Sequence, residues 1–294
     1  MGKRVTFGNT AIGLTLIIPQ LLLVFTFFYW PTGEALYWAF TLEPPFGGGN
    51  QWVGWQNFET VFKDPKYYNS VKVSLIFAVG TTTMSISFAL LLALFVDRQL
   101  PGYRVYRFTF FWPYALAAPA VGLAFRFIFA PQAGFVSAIN TYFPGAWNPA
   151  TNGNDAMLLI MLANAWKMVG YNFIFLLAGL QSMPRALLEA AALDGAGALR
   201  RIRDFQLPLL APTLFFVLVI NLTESFVDSF GIVEIVTNGG PANATDLMVF
   251  KIYTDGFVGK DYSLAAAQSI ILMLLVVALT VVQFRFIERR VQYT

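Results

Sequence analysis

Six stretches of this chain are too long and too apolar to sit on a water-washed surface. Between Lys72 and Asp97 lie 24 residues without a charge, and between Asp261 and Arg285 another 23. The stretch from Val5 to Gly33 is likewise uncharged. A helix needs about 20 predominantly apolar residues to cross the hydrocarbon core of a bilayer, so such runs read as membrane spans. Within lipid the backbone must satisfy its own polar groups, which leaves helices or closed barrels; runs of this length select helices. Six spans are expected, at about residues 11–30, 73–96, 108–129, 157–180, 209–230 and 264–284. Composition agrees: 57% of residues are apolar and 12% charged, against about 45–50% and 25% in soluble domains. The fold class expected is all-α, a polytopic membrane protein. The six-span transmembrane domain covers 10–287, between a short N-terminal segment (1–9) and a tail (288–294).

Lys3 and Arg4 ahead of an apolar run resemble a secretory signal, but the run is too long and lacks a small-x-small cleavage site. A retained first helix is expected. Twelve Lys and Arg, at 3, 4, 98, 104, 107, 185, 200, 201, 203, 285, 289 and 290, fall on one side of the membrane. Five, at 63, 66, 72, 251 and 260, fall on the other. The positive-inside rule then places both termini in the cytoplasm. The net charge of +3 is explained by these loops and does not call for nucleic acid as a partner.

The chain has no Cys and no His. Thiolate chemistry, Cys-based zinc sites and the commonest general base are therefore absent, and no metal site is expected. No G-x-x-x-x-G-K-[ST] phosphate loop occurs, since Gly259-Lys260 leads into Asp261. The chain is not expected to be an enzyme.

The loop from Ser182 to Pro208 is the most informative segment. Ser182 is suited to capping a helix with Pro184 in its first turn, and Ala190 to Ala192 favour continuing it. Gly195 suits a left-handed stop, and Asp194 can cap a second helix expected to end before Pro208. A plain amphipathic linker would explain the arginines, but not the ordered Glu189-Ala190-Ala191, Asp194-Gly195 and Leu207-Pro208. Those marks resemble the coupling loop of bacterial ABC importer permeases, with Phe205 standing where an aliphatic residue is usual. Pro19-Gln20, Trp30-Pro31, Asn57-Phe58, Pro113-Tyr114, Trp166-Lys167, Ala178 to Gln181 and Gly239-Gly240-Pro241 extend the resemblance from about Ile18 to Gln283. They point to the carbohydrate-uptake, maltose-type branch. Tyr171-Asn172-Phe173, Glu189 to Gly197 and Ala266 to Ser269 are similar to permeases for glycerol phosphate.

The resemblance implies a type I importer in the bacterial inner membrane. This chain would pair with a second, non-identical permease, two copies of a cytoplasmic ATPase and a periplasmic binding protein. ATP and Mg would be bound by the ATPases, with no cofactor in this chain. Glu189 would face the ATPase, with Ala190 and Ala191 beside it and Asp194 and Gly195 holding the elbow. The outer turn Gly239-Gly240-Pro241 would meet the partner permease or the binding protein. The substrate implied is sn-glycerol 3-phosphate or a related glycerophosphodiester. A neutral disaccharide is the alternative within the family, and a self-sufficient secondary transporter or channel the alternative outside it.

Ionisable residues inside a span are functional-site candidates by default. At 1.5 Å per residue, Lys167 falls about 15 Å below the outer end of the fourth span. Glu224 and Asn221 fall about 9 and 13 Å below that of the fifth, with Asn164 between them in depth. Asn221, Glu224 and Asp228 share a helix face by their i, i+3, i+7 spacing. Two readings stay open: a structural pair between Lys167 and Glu224, or a belt of Asn164, Lys167, Asn221, Glu224 and Asp228 along a translocation path. Arg126, near the outer end of the third span, is expected to snorkel to the interface.

Overall fold

The computed structural model describes residues 10–42, 49–97 and 108–287. The terminal segments expected at 1–9 and 288–294 lie outside these residues. The described chain is almost wholly helical, its one sheet being a two-residue antiparallel pair, Thr41–Leu42 with Gln51–Trp52. Five helices are long and apolar enough to cross a membrane: Gly13–Ala39, Pro65–Val96, Gly153–Gln181, Ala198–Val227 and Tyr262–Arg285. A sixth span is a bent pair, Phe108–Ala115 and Ala118–Ile128, turned by 109°.

The bend corrects the expectation of one continuous third helix. Pro119 has no N–H to offer the carbonyl of Ala115, and its ring would clash with that carbonyl. The backbone is extended at Leu116 (ψ 141°) and Ala117 (ψ 138°), and a new helix starts with Pro119 in its first turn. Elsewhere proline is absorbed. The first span runs on past Trp30-Pro31 to Ala39, because a π-helical turn at Phe25–Tyr29 loosens the ladder just before the ring. Another π-helical turn at Ile202–Gln206 carries the helix begun at Ala198 through Pro208. The second coupling-loop helix therefore does not end before Pro208 but continues as the fifth span.

The chain divides into two units, one formed by residues 1–64 with 252–271 and the other by 65–251 with 272–294. In the first, Asn57 Nδ2 donates to the carbonyls of Ala39 and Thr41, both at 2.9 Å, and so closes the end of the first span. Phe40 packs against Trp52, Trp55 and Phe58 at ring separations of 5.6, 5.2 and 5.3 Å. Gln268 at the start of the sixth span donates to Asp255 at 2.6 Å.

The second unit holds the candidate site. One end of it is a core of Val73, Phe77, Val121, Phe125, Ile160, Ile232 and Phe250. The other end is a core of Ala89, Ala93, Phe173, Leu176, Leu177, Leu210 and Val217. The short helix Phe230–Val236 lies along Ala118–Ile128. Gly231 permits that approach, since a Cβ there would stand 2.8 Å from Pro119 Cδ.

Candidate functional site

Lys167 lies at the middle of the helix Gly153–Gln181, about 21 Å from either end at 1.5 Å per residue. It is only 6% exposed. An ammonium so enclosed needs a counter-charge, and it finds Asp228, with Nζ 2.5 Å from Oδ2. Of the two readings left open, the one that pairs Lys167 with Glu224 is corrected: the partner is Asp228. The fifth-span helix stops at Val227, and Asp228 leaves it at ψ 9°. Depth counted along an unbroken helix no longer applies there, and the released residue reaches the level of Lys167. The Asp228 side chain remains 57% exposed, against 8% for that of Lys167.

Glu224, one turn earlier and half-buried, lies in the field of both Asp228 and Lys167. Its Oε2 is buried without a hydrogen-bond partner among the described residues. Tyr114, Lys167, Thr223, Glu224, Val227 and Asp228 together line a hollow of about 380 Å³. One cation and two carboxylates leave it with a formal charge of −1. Tyr114 comes from the first half of the broken third span and is followed by Tyr171, Phe175 and Phe216, in ring contact at 5.3, 4.7 and 5.1 Å.

Two residues expected in the belt are elsewhere. Asn164 is buried and does not line the hollow. Asn221 is fully buried and joins three helices. Its Oδ1 accepts from Ser85 Oγ at 2.8 Å and from Asn172 Nδ2 at 2.9 Å. Its Nδ2 donates to Asn172 Oδ1 at 2.6 Å and to the Val217 carbonyl at 2.7 Å. Asn172 Nδ2 also reaches Ser85 Oγ at 3.1 Å. A residue three positions before Glu224 is turned by about 60° around the helix, enough to face the interior instead of the hollow. Tyr114, Ser85 and Asn172 were not singled out as site residues from the sequence. Only the pairing of amides at similar depth on the fourth and fifth spans offered a signal.

In the coupling loop, the helix Arg185–Leu193 ends with the Ala196 N–H on the Ala191 carbonyl (2.9 Å) and the Gly195 N–H on that of Ala192 (3.1 Å). The first of these bonds needs the left-handed backbone of Gly195, at φ 79°. Two details differ from expectation. Ser182 closes the preceding helix, its hydroxyl donating to the Gly179 carbonyl at 2.8 Å. Asp194 is the C-cap of the first elbow helix, and Gly197, not Asp194, is the N-cap of the second, Ala198–Arg201. Glu189 and Ala190 face outward while Ala191 is buried. Leu193 and Leu199 are 90% and 79% exposed.

The turn Gly239-Gly240-Pro241 is held by its own chain. Gly239 (φ 77°) lies against the Phe250 ring, Thr245 Oγ1 bonds the Gly240 carbonyl at 2.6 Å, and Asn69 Nδ2 donates to the Asn243 carbonyl at 3.0 Å. Gly240-Pro241 is a cis peptide. Asn238, Ala242 and Asn243 are left on the surface. Arg126 Nη1 donates to the Ile235 carbonyl at 2.9 Å, so it closes the end of the helix Phe230–Val236 as well as lying near the outer end of its span.

A helical multi-pass membrane protein with a charged intramembrane hollow and an exposed helix–Gly–helix elbow belongs among transport proteins. Residues 14–293 match the profile of the binding-protein-dependent transport system inner membrane component, and the chain belongs to that family. It is 46% identical to the sn-glycerol-3-phosphate transport system permease protein UgpA of Rhizobium meliloti (strain 1021), over 99% of each chain. It is 47% identical to the protein of the same name from Agrobacterium fabrum, again over 99% of each. Its fold resembles a chain of a bacterial ABC transporter involved in import of the acidic polysaccharide alginate. The TM-score is 0.81 at 21% identity, with 95% of both chains covered.

Proposed function

We infer that this chain is one of two unlike permease subunits of an ATP-driven importer for sn-glycerol 3-phosphate or a related glycerophosphodiester. The observation that carries this reading is similarity over 99% of both lengths to relatives that bear that substrate in their names. A binding protein delivers the solute at the outer face, where Gly239, Gly240 and Pro241 present the exposed Asn238, Ala242 and Asn243. Two ATPase subunits bind ATP and Mg at the inner face and act on the elbow. There Glu189 supplies charge, Leu193 and Leu199 supply apolar surface, and Asp194 and Gly195 hold the angle. Both termini lie in the cytoplasm, following the distribution of Lys and Arg.

The hollow beside Lys167 belongs to the translocation path. An exposed carboxylate such as Asp228 is not tolerated against hydrocarbon, so its surface faces water or another subunit. The chain co-expressed with a partner permease, an ATPase and a binding protein should support ATP-dependent uptake of glycerol 3-phosphate in proteoliposomes. Uptake of a neutral disaccharide in place of the phosphate ester would refute the substrate assignment.

A further inference from the structure

We propose that Asp228 is an anion-displaceable latch on Lys167, so that an anionic solute enters the hollow by taking the place of the Asp228 carboxylate. This rests on the hollow belonging to the translocation path. Three observations lead to it. The pair is asymmetric: the Lys167 side chain is 8% exposed and that of Asp228 57%, so the carboxylate lies over an enclosed ammonium. The hollow already carries a second carboxylate, Glu224, beside them. An anion that joined Lys167 with both carboxylates in place would face a net negative site, whereas one that displaced Asp228 would meet a single cation and a single carboxylate.

The third observation is mechanical. Asp228 sits where the fifth-span helix ends at Val227, and the next helix starts two residues later at Phe230. That helix packs on Ala118–Ile128 through Gly231 and Pro119. Its end is bonded to the outer turn, since the Asn238 N–H donates to the Val233 carbonyl at 2.8 Å. Asp228 thus lies at the two-residue junction between these helices, so movement of its side chain acts where one helix passes into the other. The solute would be held by Lys167 with the same charge-assisted geometry that now holds the carboxylate.

The test uses the assembled importer in proteoliposomes with its binding protein and glycerol 3-phosphate. Asp228→Asn should assemble, because the amide oxygen can still accept from Lys167 Nζ and the Glu224 carboxylate lines the same hollow. It should lower the half-saturating solute concentration about threefold to tenfold and lower the maximal rate, since the solute no longer competes with a carboxylate when it binds but also has none to expel it. Lys167→Gln should raise the half-saturating concentration at least tenfold. A static structural pair predicts reduced assembly for both variants and an unchanged half-saturating concentration in what assembles, and that result would overturn the latch. Should Asp228→Asn fail to assemble, Val227→Cys decides, in a chain with no other cysteine. Its reaction rate with a methanethiosulfonate reagent should change at least threefold on adding glycerol 3-phosphate, and an unchanged rate would equally overturn the proposal. Absence of any glycerol 3-phosphate uptake by the unaltered importer would instead count against the function proposed above.

Discussion

Replacing Asn172 by Leu should loosen the union of the second, fourth and fifth spans without exposing an unpaired polar group. Asn172 makes three hydrogen bonds in the buried cluster, two with Asn221 and one with Ser85. Interhelical bonds of this kind in membranes average about 0.6 kcal/mol, so the loss should be near 2 kcal/mol. The full penalty for a buried unpartnered amide does not add to this. Asn221 keeps its donor on the Val217 carbonyl and its acceptor on Ser85 Oγ. A double-mutant cycle with Asn221→Leu isolates the two direct bonds, and its coupling energy should be about 1 kcal/mol. The assay is the unfolding midpoint of the purified complex in a detergent–denaturant titration. A change below about 0.5 kcal/mol for Asn172→Leu, or a coupling energy of zero, would refute the reasoning.

Three other expectations follow from the same geometry. Glu189→Lys, which reverses charge on the exposed elbow, should leave the permeases together but reduce co-purification of the ATPase or the uptake it drives; normal values for both would remove the docking role. Gly195→Ala forces a side chain into the left-handed region at φ 79°, at a cost of about 1 kcal/mol. It should depress solute-stimulated ATP hydrolysis more than thermal stability, and equal loss of both would argue against a specific role for the elbow. Gly231→Leu places its Cβ 2.8 Å from Pro119 Cδ. It should destabilise the complex by about 1–3 kcal/mol, read as a lower unfolding midpoint.

The sequence disclosed whatever depends on long uniform runs or on a single conformationally demanding residue. The second and sixth spans could hardly be read otherwise, because no soluble surface accommodates 23 or 24 consecutive uncharged residues. Gly195 announced the left-handed stop because few other residues adopt it cheaply. The partner of Lys167 was not legible, because it depends on where the fifth helix ends. Val227-Asp228-Ser229 contains neither Gly nor Pro to mark that end. The same limit applies to prolines. Pro119 breaks a helix whereas Pro31 and Pro208 are carried by neighbouring π-helical turns, and that difference rests on what surrounds the freed backbone groups. Ser85, a small hydroxyl in an otherwise apolar run, gained meaning only when two amides from other helices were found beside it.

Uptake of glycerol 3-phosphate by proteoliposomes containing this chain, its partner permease and the ATPase measures the transport role most directly. Accumulation should require ATP inside, the binding protein outside and an intact phosphate loop in the ATPase. It should vanish when this chain is reconstituted alone. Accumulation by this chain alone, driven by an ion gradient and indifferent to ATP, would contradict an importer subunit and establish a self-sufficient transporter.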